Sequence, residues 1–457
     1  MPRGLRLACA LAAASLCCNG VQARAMAEAQ DALANAITAN DIGAAEAALS
    51  QGADPDRTLA FGATPLAWAV NTQNPAMVET LLAAGAKPDG ADIDGVTPLS
   101  LACELGNAEI VIHLLDAHAK VRTRTPDGIT PLAICARYGP AKAVERMLAE
   151  GASVDSVDAR GQTPLMWAAA SGRTDAMALL LKAGAGINRT TKAGFTPLFF
   201  AIKSGMPAAA QMLVAAGAKT DHRGPEGTSA AQLAVYQHNY PAAALMVERG
   251  ADLAERDRNG NQLLHAAAAG GDVMLVDLLL AKGADPNALT GASRITWVTE
   301  ANFGQPPPPV PPTTPLLSAA AAGKAEAMKH LVSARANPRF VAADGVNVVL
   351  AAAQGGNAAA LDYALTLSPD ANVTNANGAT PLHLLIGGGL QPELEPMLRL
   401  LAAHGARIDI PNKRGTTAAQ MADNGLTEVK AIFRAVFPAS ASPRMADAGR
   451  PAVSSNN

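Results

Sequence analysis

The ten residues DGVTPLSLAC at positions 94–103 contain the phrase that decides the fold, Thr97-Pro98-Leu99. This Thr-Pro-Leu phrase recurs every 33 residues, and its copies open at Thr64, Thr97, Thr130, Thr163 and Thr196. A Gly-Ala phrase keeps the same interval or a multiple of it, and its copies open at Gly52, Gly85, Gly151, Gly184, Gly217, Gly250 and Gly283. A fixed period of this length indicates a solenoid, whose units cannot bury their apolar faces alone.

The unit at residues 92–124 shows how each repeat folds. Asp94-Gly95 forms a turn pair, and Thr97 is placed to cap a helix that starts at Pro98. Gly106 ends this helix, and a second helix follows with apolar residues at helical spacing. The sequence therefore predicts a turn, a short helix, a tight loop and a longer antiparallel helix.

This unit resembles an ankyrin repeat. The resemblance rests on the Thr-Pro-Leu opening, an Ala within the first helix, the interhelical Gly, the paired apolar residues of the second helix and the closing Gly-Ala-Asp. Residues 62–89, 161–188 and 260–287 match best, and the pattern extends from about 28 to 437. The resemblance implies an all-α solenoid of about twelve helix-turn-helix units with short β-turn fingers. It also implies protein–protein recognition.

Residues 1–25 are expected to be a secretory signal peptide, with Arg3 and Arg6 before a short apolar core. Two small-x-small cleavage sites follow, Val21-Gln22-Ala23 and Ala23-Arg24-Ala25. The alternative is an Ala-rich first helix of the solenoid. The solenoid is expected over residues 26–437, with caps at 26–58 and 412–437 and an insertion loop at 288–313. A Ser-, Pro- and Ala-rich tail at 438–457 is predicted to be disordered.

Two cysteines remain after the predicted leader, Cys103 and Cys135, at neighbouring small-residue positions of adjacent first helices. Because they are offset by one helical position, the sequence favours two buried free thiols. Their even number and an oxidising compartment leave a disulfide open as the alternative.

Composition and motifs give no sign of catalytic chemistry. The formal net charge is −3 and the basic residues are scattered, which disfavours nucleic acid as a partner. The eight His are dispersed without metal-ligand spacing, and no phosphate loop or nucleophile elbow is present. We therefore expect no cofactor, no metal and no enzymatic activity. After the leader no apolar run is long enough to span a bilayer.

Two tryptophans, Trp68 and Trp167, stand four residues after the Thr of their units. This position is usually an inward-facing Leu, so the sequence favours core packing, with stacking on a ligand as the alternative. On that interpretation, Trp167→Ala would lower stability by about 3–5 kcal/mol.

Candidate partner-binding residues lie on the finger tips and the exposed ends of the first helices, which line the concave side in the resembled family. They are Phe61, Asp92, Asp94, Glu104, Arg137, Tyr138, Arg160, Lys192, Phe195, Lys203 and Tyr236. The insertion loop adds three further candidates, Arg294, Trp297 and Phe303, beside a stiff run of four prolines. Aromatic and arginine side chains are chosen because they dominate binding hot spots.

These observations together predict an exported bacterial ankyrin protein, periplasmic or secreted, that acts as a non-enzymatic scaffold or accessory factor. It would bind a protein partner of unknown identity through the concave surface and the Pro-rich loop, and we expect it to be a monomer. The alternative is a secreted effector that binds proteins of another cell.

Overall fold

The computed structural model describes residues 24–59, 62–92, 94–293 and 311–438. Residues 24 and 25, at the end of the predicted leader, begin a helix that continues to residue 39. The rest of the predicted leader and all but the first residue of the predicted disordered tail lie outside the described residues, as does the middle of the insertion loop.

The described chain forms twelve helix pairs, which confirms the count of repeats from the sequence. The first helices are α1 (24–39), α3 (Pro65–Asn71), α5 (Pro98–Leu105), α7 (Pro131–Arg137), α9 (Pro164–Ala170), α11 (Pro197–Lys203), α13 (Ala230–Tyr236), α15 (Leu263–Gly270), α17 (Pro315–Ala321), α19 (Val348–Gln354), α21 (Pro381–Gly387) and α23 (Ala418–Asp423). The second helices are α2 (Ile42–Ser50), α4 (Pro75–Ala83), α6 (Ala108–Asp116), α8 (Ala141–Ala149), α10 (Thr174–Lys182), α12 (Pro207–Ala215), α14 (Tyr240–Glu248), α16 (Val273–Ala281), α18 (Ala325–Ser333), α20 (Ala358–Leu367), α22 (Leu394–Ala403) and α24 (Thr427–Val436). Over these residues, no helix combines the length and the apolar character needed to cross a bilayer.

The Thr-Pro-Leu phrase fixes where most first helices begin. In α9 the Thr163 hydroxyl oxygen accepts a hydrogen bond from the amide of Met166 at 3.3 Å, and Pro164 takes the first helical position. The Pro needs no amide partner there, and its fixed φ suits the helix. The Leu of the phrase points into the core: Leu165, like its counterpart Leu132, has no exposed surface. Burying one such side chain stabilises the fold by roughly 1.5–3 kcal/mol.

The chain divides into two compact units, the first ending at Ala242 and the second beginning at Ala243. In the first unit, the first helices from α3 to α13 each pack against the next in the row, and the second helices from α2 to α12 form a parallel row of contacts. In the second unit, α15 to α23 and α16 to α24 form the same two rows. Each repeat therefore buries its neighbour's apolar face, as the sequence period predicts.

Between repeats the chain turns out into short hairpins, here called fingers. In the 158–162 finger, the Asp158 amide donates to the Gln162 carbonyl at 3.2 Å. The Asp158 carboxylate accepts from the amides of Arg160 and Gln162 at 2.9 and 2.8 Å. Backbone bonds join neighbouring fingers, because the Ala159 amide donates to the Asp127 carbonyl at 2.7 Å. A second bond of this kind, from the Lys192 amide to the Arg160 carbonyl at 3.0 Å, joins the 158–162 finger to the next one.

Cys103 and Cys135 form a disulfide between α5 and α7, so the interpretation as two free thiols is wrong. Their Cα atoms are 4.6 Å apart, and neither residue has exposed surface. The physical reason lies in the stacking. Equivalent positions of two stacked repeats point the same way, so residues that face each other across the interface must differ in register. The one-position offset therefore favours the bond.

His265 closes the base of the long insertion in the second unit. Its Nε2 lies 3.0 Å from the carbonyl oxygen of Ala288 and 3.1 Å from that of Thr313, so this nitrogen carries the proton. Its Nδ1 accepts from the Gln262 amide at 3.4 Å. The Thr290 amide also donates to the Thr313 carbonyl at 2.9 Å. The two ends of the insertion are therefore tied together at the edge of the stack.

We expect the protonation of His265 to lower the free energy of unfolding in mild acid. Burial lowers the pKa of its imidazole, although the two carbonyl acceptors oppose that shift. The unfolded chain, with a His pKa of about 6.5, then binds more protons than the native protein. Neutral His265 therefore makes its full contribution to the free energy of unfolding above about pH 6.5. This contribution declines as the pH falls toward the lowered native pKa.

This effect is measured by urea unfolding at about pH 7.5 and about pH 5. The wild type is compared with His265→Gln. The glutamine variant keeps a donor but cannot titrate, so its free energy of unfolding should fall less on acidification. Equal declines in both proteins would rule out His265 as the source.

Candidate functional site

A groove in the first unit lies between the fingers and the first helices α7, α9 and α11. Its cavity has a volume of about 530 Å³. The finger side is lined by Asp127, Ile129, Asp158, Ala159, Arg160 and Gln162. The helix side includes Arg137, Met166, Trp167, Phe200 and Lys203. We call this cavity the Arg137 groove.

The position four residues after the capping Thr forms the groove wall. Trp167 in α9 and Phe200 in α11 both hold this position, and both are half-buried. The Trp167 indole donates through Nε1 to the Asp158 carboxylate at 3.3 Å. Trp68 is also half-buried, and its Nε1 donates to the Thr38 hydroxyl at 3.3 Å. Neither side chain is fully buried, so the prediction that the two tryptophans pack in the core is wrong.

Arg137 is the most constrained cation of the groove. Its guanidinium carbon lies 4.9 Å from the centre of the Tyr138 ring and 5.3 Å from the Trp167 ring. Contacts of this kind with aromatic rings attract a cation by about 0.5–2 kcal/mol. The Nε atom is buried and has no hydrogen-bond partner. The side chain is thus held in place by aromatic contacts while this donor remains unsatisfied.

Two further cations converge on the groove, Arg160 from a finger and Lys203 from the end of α11. Both are exposed. Gly161 positions Arg160 by adopting φ +79°, and a Cβ there would come within 3.0 Å of the Lys192 amide nitrogen. Of the two acids in the lining, Asp158 is occupied by its finger and by Trp167, while Asp127 is exposed at the finger edge.

The structure brings one group of the predicted site residues together. Arg137, Arg160 and Lys203 line the same cavity, and Tyr138 contacts Arg137. Phe195 lies 6.3 Å from Phe200, measured between ring centres, and so borders the groove. The Lys192 amide donates to the Arg160 carbonyl at 3.0 Å, which places Lys192 on the adjoining finger.

The other predicted residues lie apart from this cavity. The Asp92 carboxylate accepts from the amides of Asp94 and Val96 at 3.0 and 2.8 Å, so it holds its own finger. Asp94, Glu104 and Tyr236 are exposed on other repeats of the first unit. Phe61, Arg294, Trp297 and Phe303 lie outside the described residues.

Sequence reasoning missed Trp167, Phe200, Gln162 and Asp158 as parts of the site. The signal that could have found the two aromatics is the large residue four places after the capping Thr in consecutive repeats. Asp158 and Gln162 had no such signal, because their places in the site depend on how the finger folds back. Within the described ranges, no three His, Cys, Asp or Glu side chains gather as metal ligands.

A family model described as "Ankyrin repeats (3 copies)" matches residues 33–125, 113–191, 132–223, 198–290 and 316–412. Among solved structures, the ankyrin repeat domain of Bcl-3, titled a unique member of the IkappaB protein family, is similar at 27% identity with a TM-score of 0.39. That likeness covers 44% of this chain and 92% of the other. No curated protein sequence matches the chain.

Proposed function

Since the chain belongs to the ankyrin-repeat family, we propose that it binds a partner protein in the Arg137 groove and does not act as an enzyme. Ankyrin repeats are in general interaction modules. The observation that carries the proposal is Arg137, held between Tyr138 and Trp167 with its Nε donor buried and unsatisfied. Arginine and aromatic anchors around a cavity are typical of the residues that dominate binding energy.

The proposal includes export to the periplasm, where the protein would serve as an accessory factor for another protein. The Arg-bearing, apolar N-terminus ending in Val21-Gln22-Ala23 supports export. The Cys103–Cys135 disulfide supports an oxidising compartment, because such bonds persist outside the reducing cytosol. A secreted effector is the second candidate, favoured by the same leader. Fractionation of cells that express the intact chain separates the two: retention in the periplasm favours the accessory factor and release to the medium favours the effector.

Capture from a periplasmic extract tests partner binding. The full chain is immobilised beside Arg137→Gln and the control Lys182→Gln, which removes an exposed charge from α10, a second helix that does not line the groove. We expect the wild type and the control to retain the same protein and Arg137→Gln to lose it. Retention that is equal for all three chains would place the interaction elsewhere.

The insertion loop of the second unit is proposed as a separate binding element. Deleting residues 294–310 and joining the ends with a short Gly-Ser linker keeps the described base of the loop, including the Thr290–Thr313 bond of 2.9 Å. We expect thermal unfolding to stay nearly unchanged, because the tie made by His265 remains. Partner capture should be lost. Undiminished capture would remove the loop from the binding surface and leave the groove as the sole candidate.

A further inference from the structure

The Arg137 groove brings three cations, Arg137, Arg160 and Lys203, into one cavity. On other surfaces of the unit, Arg146 pairs with Asp116 at 2.9 Å, and Lys120 pairs with Asp89 at 3.4 Å. The side chains of Arg137, Arg160 and Lys203 form no ion pair with any residue that the structure describes. The groove therefore gathers positive charge that the fold itself does not compensate.

The acidic residues of the groove do not balance these three cations. Asp158 uses one carboxylate oxygen for two finger amides and the other for the Trp167 indole. Its negative charge remains, so the lining has three cations against two acids, an excess of one positive charge. Asp127, Arg160 and Lys203 are all exposed, so solvent screens their charges alike. A ligand that brought a further negative charge would therefore be favoured.

We propose that the groove takes an acidic, extended segment of the partner, with one Asp or Glu carboxylate bound by Arg137 and a neighbouring apolar side chain packed on Trp167 and Phe200. This inference rests on the proposed function and names the chemistry that the groove selects. The carboxylate accepts from the Arg137 guanidinium, which lies in the lining of the cavity. Arg160 and Lys203 attract the flanking acidic residues.

The geometry favours this occupant over a simple anion. A guanidinium donates to a carboxylate through a planar fork, and here the guanidinium already contacts the Tyr138 and Trp167 rings. A preformed donor costs little ordering entropy on binding. The cavity of about 530 Å³ lies within the range of about 300–1,000 Å³ that is typical of ligand pockets, and its aromatic wall requires an apolar group.

A displayed library of random linear peptides, selected on the full chain, tests the inference. Two variants are selected in parallel: the groove variant Arg137→Gln/Arg160→Gln/Lys203→Gln, and a control of equal charge, Lys142→Gln/Lys182→Gln/Lys219→Gln. None of the three control lysines lines the groove, and all are exposed. The wild type and the control should enrich peptides with Asp or Glu beside an aromatic or aliphatic residue. The groove variant should not.

An enriched peptide and its Glu→Gln analogue are then measured by fluorescence anisotropy. We expect the analogue, and separately Arg137→Gln, to bind at least about tenfold more weakly, as for loss of one charge-assisted contact. Excess inorganic phosphate should displace the peptide only slightly, since it offers no apolar group. Displacement of the peptide by phosphate at low concentration would show that the groove binds simple anions and does not select an acidic segment.

Failure of this inference and failure of the proposed function give different results. Three results would overturn the proposal of an acidic segment. They are enrichment of neutral or basic peptides, enrichment that the groove variant retains, and no enrichment at all. Each of these is compatible with capture of a periplasmic protein that Arg137→Gln abolishes, so partner binding in the groove would stand.

Discussion

Trp167→Ala is expected to weaken partner binding by at least about thirtyfold, the effect of losing a hot-spot tryptophan worth about 2 kcal/mol or more. The indole forms the groove wall, contacts the Arg137 guanidinium and donates to Asp158. Its removal therefore takes away apolar contact area and loosens both the cation and the finger that border the cavity. The dissociation constant for the captured partner, measured by calorimetry, gives the result.

The same substitution should cost only about 1–2 kcal/mol of unfolding free energy, less than the 3–5 kcal/mol typical of a fully buried aromatic. Trp167 is half-buried, so part of its surface is already in water. Trp68→Ala is the matched control, because Trp68 holds the same register and burial but does not line the groove. It should lose similar stability and keep full binding. A Trp167→Ala protein that unfolds much earlier yet binds normally would show that the side chain serves packing alone.

Replacing both cysteines, Cys103→Ala/Cys135→Ala, is expected to lower the free energy of unfolding of the first unit by about 3–4 kcal/mol. The two residues are 32 positions apart in sequence, and the bond between them limits the freedom of the unfolded chain. Alanine is chosen because both sites are fully buried, so the replacement leaves no unpaired polar group. Urea unfolding of the purified full chain under oxidising conditions measures the loss.

A reducing agent supplies the control for the disulfide. It should shift the urea midpoint of the wild type toward that of the double variant and leave the double variant unchanged. A wild type that is indifferent to reduction would mean that the two thiols are free in the protein. The same experiment then also weakens the argument for an oxidising compartment.

The helix pairs follow from local sequence. Thr163, Pro164 and Leu165 specify a cap, a first turn and a buried anchor, and each effect acts within one helical turn. These rules repeat in most units, so the period and the number of pairs could be counted from the sequence. Arg137, Arg160 and Lys203 could also be selected from the sequence as site candidates. Their positions on finger tips and helix ends are set by the repeat unit alone.

The sequence determined the repeat, its caps and the cations at its edge, whereas the tertiary structure decided what those residues face. The pairing of Cys103 with Cys135 and the turning of Trp167 toward Asp158 depend on how one repeat is placed on the next. Facing residues in a stack occupy different registers and lie about one repeat apart in the chain. The spacing of apolar residues within one helix indicates which side of that helix is apolar. The partner across the interface is fixed only once neighbouring repeats pack together.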